Sequence, residues 1–271
     1  MSLGTNIKRI REERKLTQEQ IADMLDVSFQ AVSSWERDEY KPDLDNLIKL
    51  ANRLDVSLSS LVEDKKQVFE TKKALYDWEH MKTYVKTTAK NLNLINTLNA
   101  LEFAVKAHEG QLRKKSDIPY IYHPLNLACH ALAMNIKEDE IIAACLLHDV
   151  VEDCNVKFEE LPVNEETKEL VRLLTHSKTN DGNRDELMKS YYDAIAKNPK
   201  ASLIKCIDRC NNLTTMSWGL SKNRIFRMIL ETEKYFNPLL NTLKQTHKYN
   251  DAYWLLNYQI ASMLDIYKRL L

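Results

Sequence analysis

The run Ala144-Cys145-Leu146-Leu147-His148-Asp149-Val150-Val151-Glu152-Asp153 constrains this chain more than any other stretch. An apolar segment of this kind has to be buried, yet it ends on an imidazole and three carboxylates. Such groups are expensive to remove from water without a partner. A divalent cation is the natural partner, because one ion compensates several ligand groups at once. Helical periodicity places His148 and Glu152, and likewise Asp149 and Asp153, four residues apart on shared faces. A helix end whose His and Asp only hydrogen-bond each other is the alternative this stretch alone leaves open.

Matching pieces lie on both sides of it. In Ile118-Pro119-Tyr120-Ile121-Tyr122-His123-Pro124, Pro124 suits the first turn of a helix, where its missing N–H costs nothing, and so fixes His123 at a helix start. In Leu203-Ile204-Lys205-Cys206-Ile207-Asp208-Arg209-Cys210-Asn211-Asn212-Leu213, Asp208 falls in an apolar helix and Asn212 follows one turn later. His123, His148, Asp149 and Asp208 form an N/O ligand set suited to Mn²⁺, Fe²⁺ or Zn²⁺. The lack of a thiolate disfavours a structural zinc site.

The 271 residues suffice for one large domain or two ordinary ones. Lys plus Arg and Asp plus Glu number 39 each, which excludes a polybasic, histone-like protein. Only 4 Gly and 6 Pro favour an all-α architecture. No apolar run reaches about eighteen residues, and Met1-Ser2-Leu3-Gly4 opens no signal-peptide pattern. A cytoplasmic chain without a membrane partner is expected. The 5 cysteines lack C-x-x-C spacing and read as reduced, mostly buried thiols.

Residues 1–65 carry short amphipathic helices. Thr17 followed by Gln20 is a capping-box pattern that starts a helix at Gln18. Ser28 can cap the next helix, Pro42 breaks the chain before a helix over Asp43–Leu54, and Ser57–Leu61 gives a last short one. The stretches Ile7–Arg11, Leu16–Ala22, Val27-Ser28 and Val32–Arg37 closely resemble the Cro/C1 (XRE) repressor family. The resemblance implies a five-helix domain whose second motif helix enters the major groove of double-stranded DNA. It puts Phe29, Gln30 and Ser34 at base edges and Gln18 and Arg37 near phosphates. Asp26 replaces the glycine often found at the turn, a change its tolerance of left-handed backbone allows. Acids about equal bases here, so weak DNA affinity or dependence on dimerisation would follow. Use of the module for oligomerisation alone stays open.

Residues 66–95 are lysine-rich and read as a helical connector, with Val68, Leu75, Trp78, Met81, Tyr84 and Val85 as an apolar stripe. That stripe could pack on either neighbour or mediate a homodimer.

Residues 96–271 carry further motifs in order: Ala107–Lys114, Pro119–Leu125, Leu146–Asp153 and Ile204–Asn212. Together they resemble the HD-domain superfamily of metal-dependent phosphohydrolases, and more narrowly the (p)ppGpp hydrolase domain of RelA/SpoT proteins and small alarmone hydrolases. The resemblance implies His123, His148, Asp149 and Asp208 as metal ligands, with Mn²⁺ as the usual ion. It assigns Glu152 and Asp153 to the attacking water. Arg113 and Lys114 would meet guanine and phosphate, and Asn212 and Thr215 the ribose and 3′-pyrophosphate. Departures are Cys154 where Thr is usual, Asn211 where His is common, and a longer basic loop. A different nucleotide or phosphoester substrate, or a regulator that senses a nucleotide without turnover, are the alternatives, because fold does not fix function.

Overall fold

A computed structural model of the chain describes residues 2–54, 56–58, 61, 77–113, 117–176, 184–218 and 220–271. It divides into two compact units, Met1–Lys72 and Lys73–Leu271. The described residues form helices and no strands, with one isolated bridge between Leu112 and Pro119. No helix among them is long and apolar enough to cross a membrane. All five cysteines are free thiols, and Cys145, Cys206 and Cys210 are buried.

In the first unit, helices α1 (Leu3–Glu13), α2 (Gln18–Leu25), α3 (Phe29–Glu36) and α4 (Leu44–Arg53) begin where local chemistry starts them. Ser2, Thr17, Ser28 and Asp43 each accept a hydrogen bond from the first turn, and Thr17 and Gln20 form the reciprocal capping box. Asp26 ends α2 in the left-handed region at φ 57°, so the chain turns into α3 without a glycine. Ile7, Ile10, Ile21, Val32, Trp35, Leu50, Leu54 and Leu61 close the core. Gly4 is required by close approach: a Cβ there would stand 2.1 Å from the carbonyl oxygen of Trp35. The short helix expected over Ser57–Leu61 falls in part outside the described residues, as does 66–76 of the expected connector.

The second unit is built around α8 (Asp139–Leu147), in which every residue from Ile141 to Leu147 is buried. It packs against α6 (Ile95–Ala107), α7 (Tyr122–Ala133) and α10 (Glu165–Leu174). Such a helix, apolar on all sides, belongs only at the centre of a bundle. Asp139 ties its start to α6 by accepting from the N–H groups of Asn96 and Thr97 at 2.9 and 2.8 Å. Helix α12 (Pro199–Thr215) is buried along most of its length and packs on α7, on α11 (Arg184–Ala196), on α13 (Lys222–Gln245) and on α14 (Asn250–Leu270). Helix α5 (Trp78–Asn91) buries Val85 and Ala89 and packs on α6 and α7, so this part of the expected connector is built into the second unit.

The His-Asp run is not one continuous helix. Helix α8 stops at Leu147, His148 keeps helical angles, Asp149 opens to φ −100° and ψ −9°, and the short α9 spans Val150–Asp153. Adjacent residues of a regular helix point about 100° apart. The opened turn lets His148 and Asp149 face the same point.

Candidate metal centre

Side chains from three separate stretches converge. His123 stands in the first turn of α7, His148 and Asp149 in the turn after α8, and Asp208 in the middle of α12. The Nε2 atoms of His123 and His148 are 3.2 Å apart. Asp149 Oδ2 lies 3.4 Å from His123 Nε2 and 3.2 Å from His148 Nε2. Asp208 Oδ1 lies 3.3 Å and 3.9 Å from the same two nitrogens. Ligands about 2.1 Å from an ion stand about 3.0–3.5 Å from their neighbours, so this spacing fits a first-row divalent cation.

The hydrogen bonds behind the ligands agree. His123 Nδ1 lies 2.5 Å from Asn211 Oδ1, and His148 Nδ1 lies 2.9 Å from the carbonyl oxygen of Cys145. Each acceptor calls for an N–H at Nδ1, which leaves both Nε2 atoms to carry lone pairs toward each other. Lone pairs this close repel unless positive charge lies between them. Burial opposes an imidazolium at His148, yet the Asp149 and Asp208 carboxylates prevail and raise it to about 9. Asp149 is pushed up by burial but held well below the usual carboxylate range by His148 and His123. Asp208 is likewise lowered against burial, first by Lys205, whose Nζ is 3.1 Å from Oδ2. Two ionised carboxylates and two imidazoles here demand positive charge, and a divalent cation satisfies the whole donor set.

The centre opens into a cavity of about 810 Å³. Arg113, Tyr120, Glu152 and Asn212 line it beside the ligands, and Lys205, Arg209, Tyr191, Tyr192, His176 and Glu231 continue its wall. Glu152 Oε1 accepts from the backbone N–H of His176 at 2.5 Å. Asp153 is not in the cavity wall; with Asp149 it accepts from the Tyr120 hydroxyl, at 3.0 Å and 2.7 Å. Asn212 Nδ2 donates to Asp208 Oδ1 at 2.6 Å. Arg113 holds its guanidinium 6.0 Å from the Tyr120 ring centre and donates to Thr215 Oγ1 at 3.2 Å. Thr215 is buried behind Arg113 and does not line the cavity. Lys114 lies outside the described residues. Cys154 Sγ lies 3.3 Å from His108 Nδ1.

Sequence alone gives Tyr120, Lys205 and His176 no role, and marks Asn211 only as a departure from the family pattern. Tyr120 and Lys205 stand inside quoted motifs, but nothing local says that a phenol bridges two acids or that a lysine neutralises an aspartate three residues on. Asn211 is held in turn by Asn126, whose Oδ1 accepts from Asn211 Nδ2 at 2.9 Å.

In the first unit, Phe29 and Gln30 are exposed at the start of α3 and Ser34 is half-buried, its hydroxyl donating to the Ala31 carbonyl at 2.9 Å. Gln18 Nε2 donates to the buried Glu36 at 2.7 Å, and Glu36 also pairs with Arg11 Nε at 2.6 Å. The exposed Arg37 is engaged by Glu39 and by Ser33 Oγ, at 2.8 and 2.7 Å.

Comparison with known proteins follows this division. A helix-turn-helix family profile matches residues 7–61, and an HD domain profile matches residues 100–245. The guanosine-3′,5′-bis(diphosphate) 3′-pyrophosphohydrolase of Aquifex aeolicus is 33% identical over 150 residues, covering 53% of this chain and 21% of that protein. The protein of the same name from Borreliella burgdorferi is 30% identical over 170 residues, 60% of this chain and 25% of its own length. The bifunctional (p)ppGpp synthase/hydrolase SpoT of Escherichia coli is 28% identical over 180 residues, 64% of this chain and 25% of SpoT. The match thus spans a quarter or less of these relatives. A solved metazoan orthologue of SpoT that hydrolyses ppGpp shares the fold at TM-score 0.51 and 24% identity, over 63% of this chain and 94% of that one. The chain belongs to the HD-domain family of metal-dependent phosphohydrolases and carries a helix-turn-helix domain at its N-terminus.

Proposed function

We propose that the second unit hydrolyses guanosine 3′,5′-bis(diphosphate) at its 3′-pyrophosphate in a Mn²⁺-dependent reaction, yielding GDP and pyrophosphate. We propose that the first unit binds double-stranded DNA and that the protein works in the cytoplasm. The convergence of His123, His148, Asp149 and Asp208, three of them in the wall of a cavity of about 810 Å³, carries the hydrolase reading. The names of the relatives support the substrate.

In this reading those side chains hold the ion, which when bound neutralises phosphoryl oxygens and acidifies a water molecule. Glu152, on the cavity wall, takes the proton of the attacking water. Asp153 acts through Tyr120, which it shares with Asp149, and so fixes the ligand carboxylate. The water oxygen bonds to the phosphorus attached to the ribose 3′ oxygen. The P–O3′ bond breaks, and the 3′ oxygen is protonated as pyrophosphate leaves. Arg113, propped by Thr215, and Tyr120 offer a flat cationic surface for guanine. Lys114 and Asn212 serve the phosphates and the ribose side. At the DNA, Phe29, Gln30 and Ser34 read bases while Gln18 and Arg37 approach phosphates.

Incubation with Mn²⁺ and ppGpp should release GDP and pyrophosphate, and Asp149→Ala should abolish the release. Intact ppGpp after excess protein, in the presence of Mn²⁺, would overturn the reading. A gel shift on the protein's own upstream DNA should weaken with salt and vanish in a Gln30→Ala, Arg37→Ala double variant.

A further inference from the structure

Among the described residues, helix α14 leaves one face without a partner. Ala252, Leu256 and Ile260 are buried against the second unit, while Trp254, Leu255, Tyr258 and Ile266 are 60%, 41%, 71% and 47% exposed. At about 100° per residue these four, with Asp251 and Arg269, fall within an arc of about 120°. Scattered exposed apolar residues need no explanation, but an aromatic and aliphatic stripe along one helix face marks an interaction surface. The helix lies beyond residues 100–245, the stretch that the HD domain profile matches.

We propose that this face pairs with the same face of a second copy, antiparallel about a two-fold axis at the level of Ile260. A two-fold interface must be self-complementary, with each residue meeting its counterpart at equal distance from the axis. Asp251 and Arg269 stand nine residues either side of Ile260, so each acid meets the other copy's guanidinium. Arg269 Nε already holds Asp265 Oδ2 at 3.0 Å, and a second carboxylate completes its surroundings. Tyr258 stands opposite the small Ser262, Trp254 opposite Ile266, and Leu255 opposite Asp265, whose carboxylate Arg269 of the same copy holds. The two aromatic side chains thus meet a small and an aliphatic one, and Trp and Tyr are the residues from which interfaces draw most of their binding energy. Parallel pairing would set Asp251 against Asp251 and Arg269 against Arg269, which repel. The charge order along the helix selects the antiparallel pair. A chain paired in this way carries two helix-turn-helix domains, the valence that a two-half-site DNA sequence requires.

Sedimentation velocity of the full chain, from low to high micromolar concentration, tests the pairing. The wild type should dimerise and Tyr258→Glu should sediment as a monomer. Asp251→Arg and Arg269→Asp should each weaken dimerisation at least about tenfold, because each homodimer then faces like charges twice. An equimolar mixture of these two variants should recover the dimer, since both ion pairs re-form in the heterodimer alone. All the substituted residues are exposed, so unchanged melting temperatures check that folding is intact. A wild type that stays monomeric overturns the proposal. So does a dimer indifferent to both charge variants, or a mixture that fails to recover; these would assign the face to the chain's own first unit or to another protein. None of these readouts depends on hydrolysis of ppGpp.

Discussion

Asn211 decides whether His123 can serve as a ligand, and its removal tests the centre without reference to turnover. The side chain is buried, and its Oδ1 lies 2.5 Å from His123 Nδ1. Replacement by Leu removes the acceptor and leaves a buried N–H unsatisfied, a cost of about 1–3 kcal/mol. The ring can escape that cost by moving its proton to Nε2 or by rotating, and either change withdraws the nitrogen aimed at Asp149 and Asp208. Partners of metal-bound histidines typically contribute about 10–100-fold in affinity, or about 1.4–2.8 kcal/mol, within the range set by the lost hydrogen bond. Asn211→Leu should therefore weaken Mn²⁺ binding by about 10–100-fold in titration calorimetry. Asn211→Asp, which keeps an acceptor oxygen, should stay much closer to wild type. The reasoning fails if the Leu variant binds Mn²⁺ within about twofold of wild type, or if Asp proves as damaging as Leu.

Lys205→Met leaves Asp208 buried without its lysine at 3.1 Å, and breaking such a pair costs about 3–5 kcal/mol. Because Mn²⁺ would restore positive charge beside Asp208, the fall in melting temperature should be larger without Mn²⁺ than with it; equal losses would refute the link. Glu138 is raised by burial but lowered on balance by Lys248, Tyr249 and Lys200. Its folded value is the depressed one, so its stabilisation is complete above the unfolded value of about 4.3 and is lost as pH falls through the folded one. The stability gap between wild type and Glu138→Gln, read by urea unfolding, should be present at neutral pH and close in acid. Gly4→Ala drives a Cβ toward the Trp35 carbonyl and should destabilise the first unit by about 1–3 kcal/mol, abolishing the DNA shift before it affects hydrolysis.

What could be read from the sequence was what local chemistry decides. Thr17 with Gln20, Ser28 and Asp43 mark helix starts because their partners lie within one turn. The apolar run into His148 could have no place but the interior, and Asp208 announced itself as a carboxylate with no reason to be in a greasy helix. Asp26 carries its own explanation, since its backbone angle depends on one residue.

The remainder depended on pairings across the chain. The interruption at Asp149 is invisible to periodicity, which continues the helix through it, because the demand comes from His123 and Asp208 far away in sequence. Thr215, which the resemblance set beside the ribose, has its hydroxyl turned to Arg113, 102 positions earlier. Asn211 is the most instructive case. A position where relatives often carry His looks weakened when Asn replaces it, as long as the side chain is imagined as a ligand or a base. In the folded chain its task is to accept one hydrogen bond from His123 while donating another to Asn126, and a carboxamide does both with its two ends. The amide orientation is then fixed from both sides, and with it the tautomer of His123. What the position requires is an acceptor aimed at Nδ1, so the departure from the family pattern leaves the geometry of the candidate centre in place.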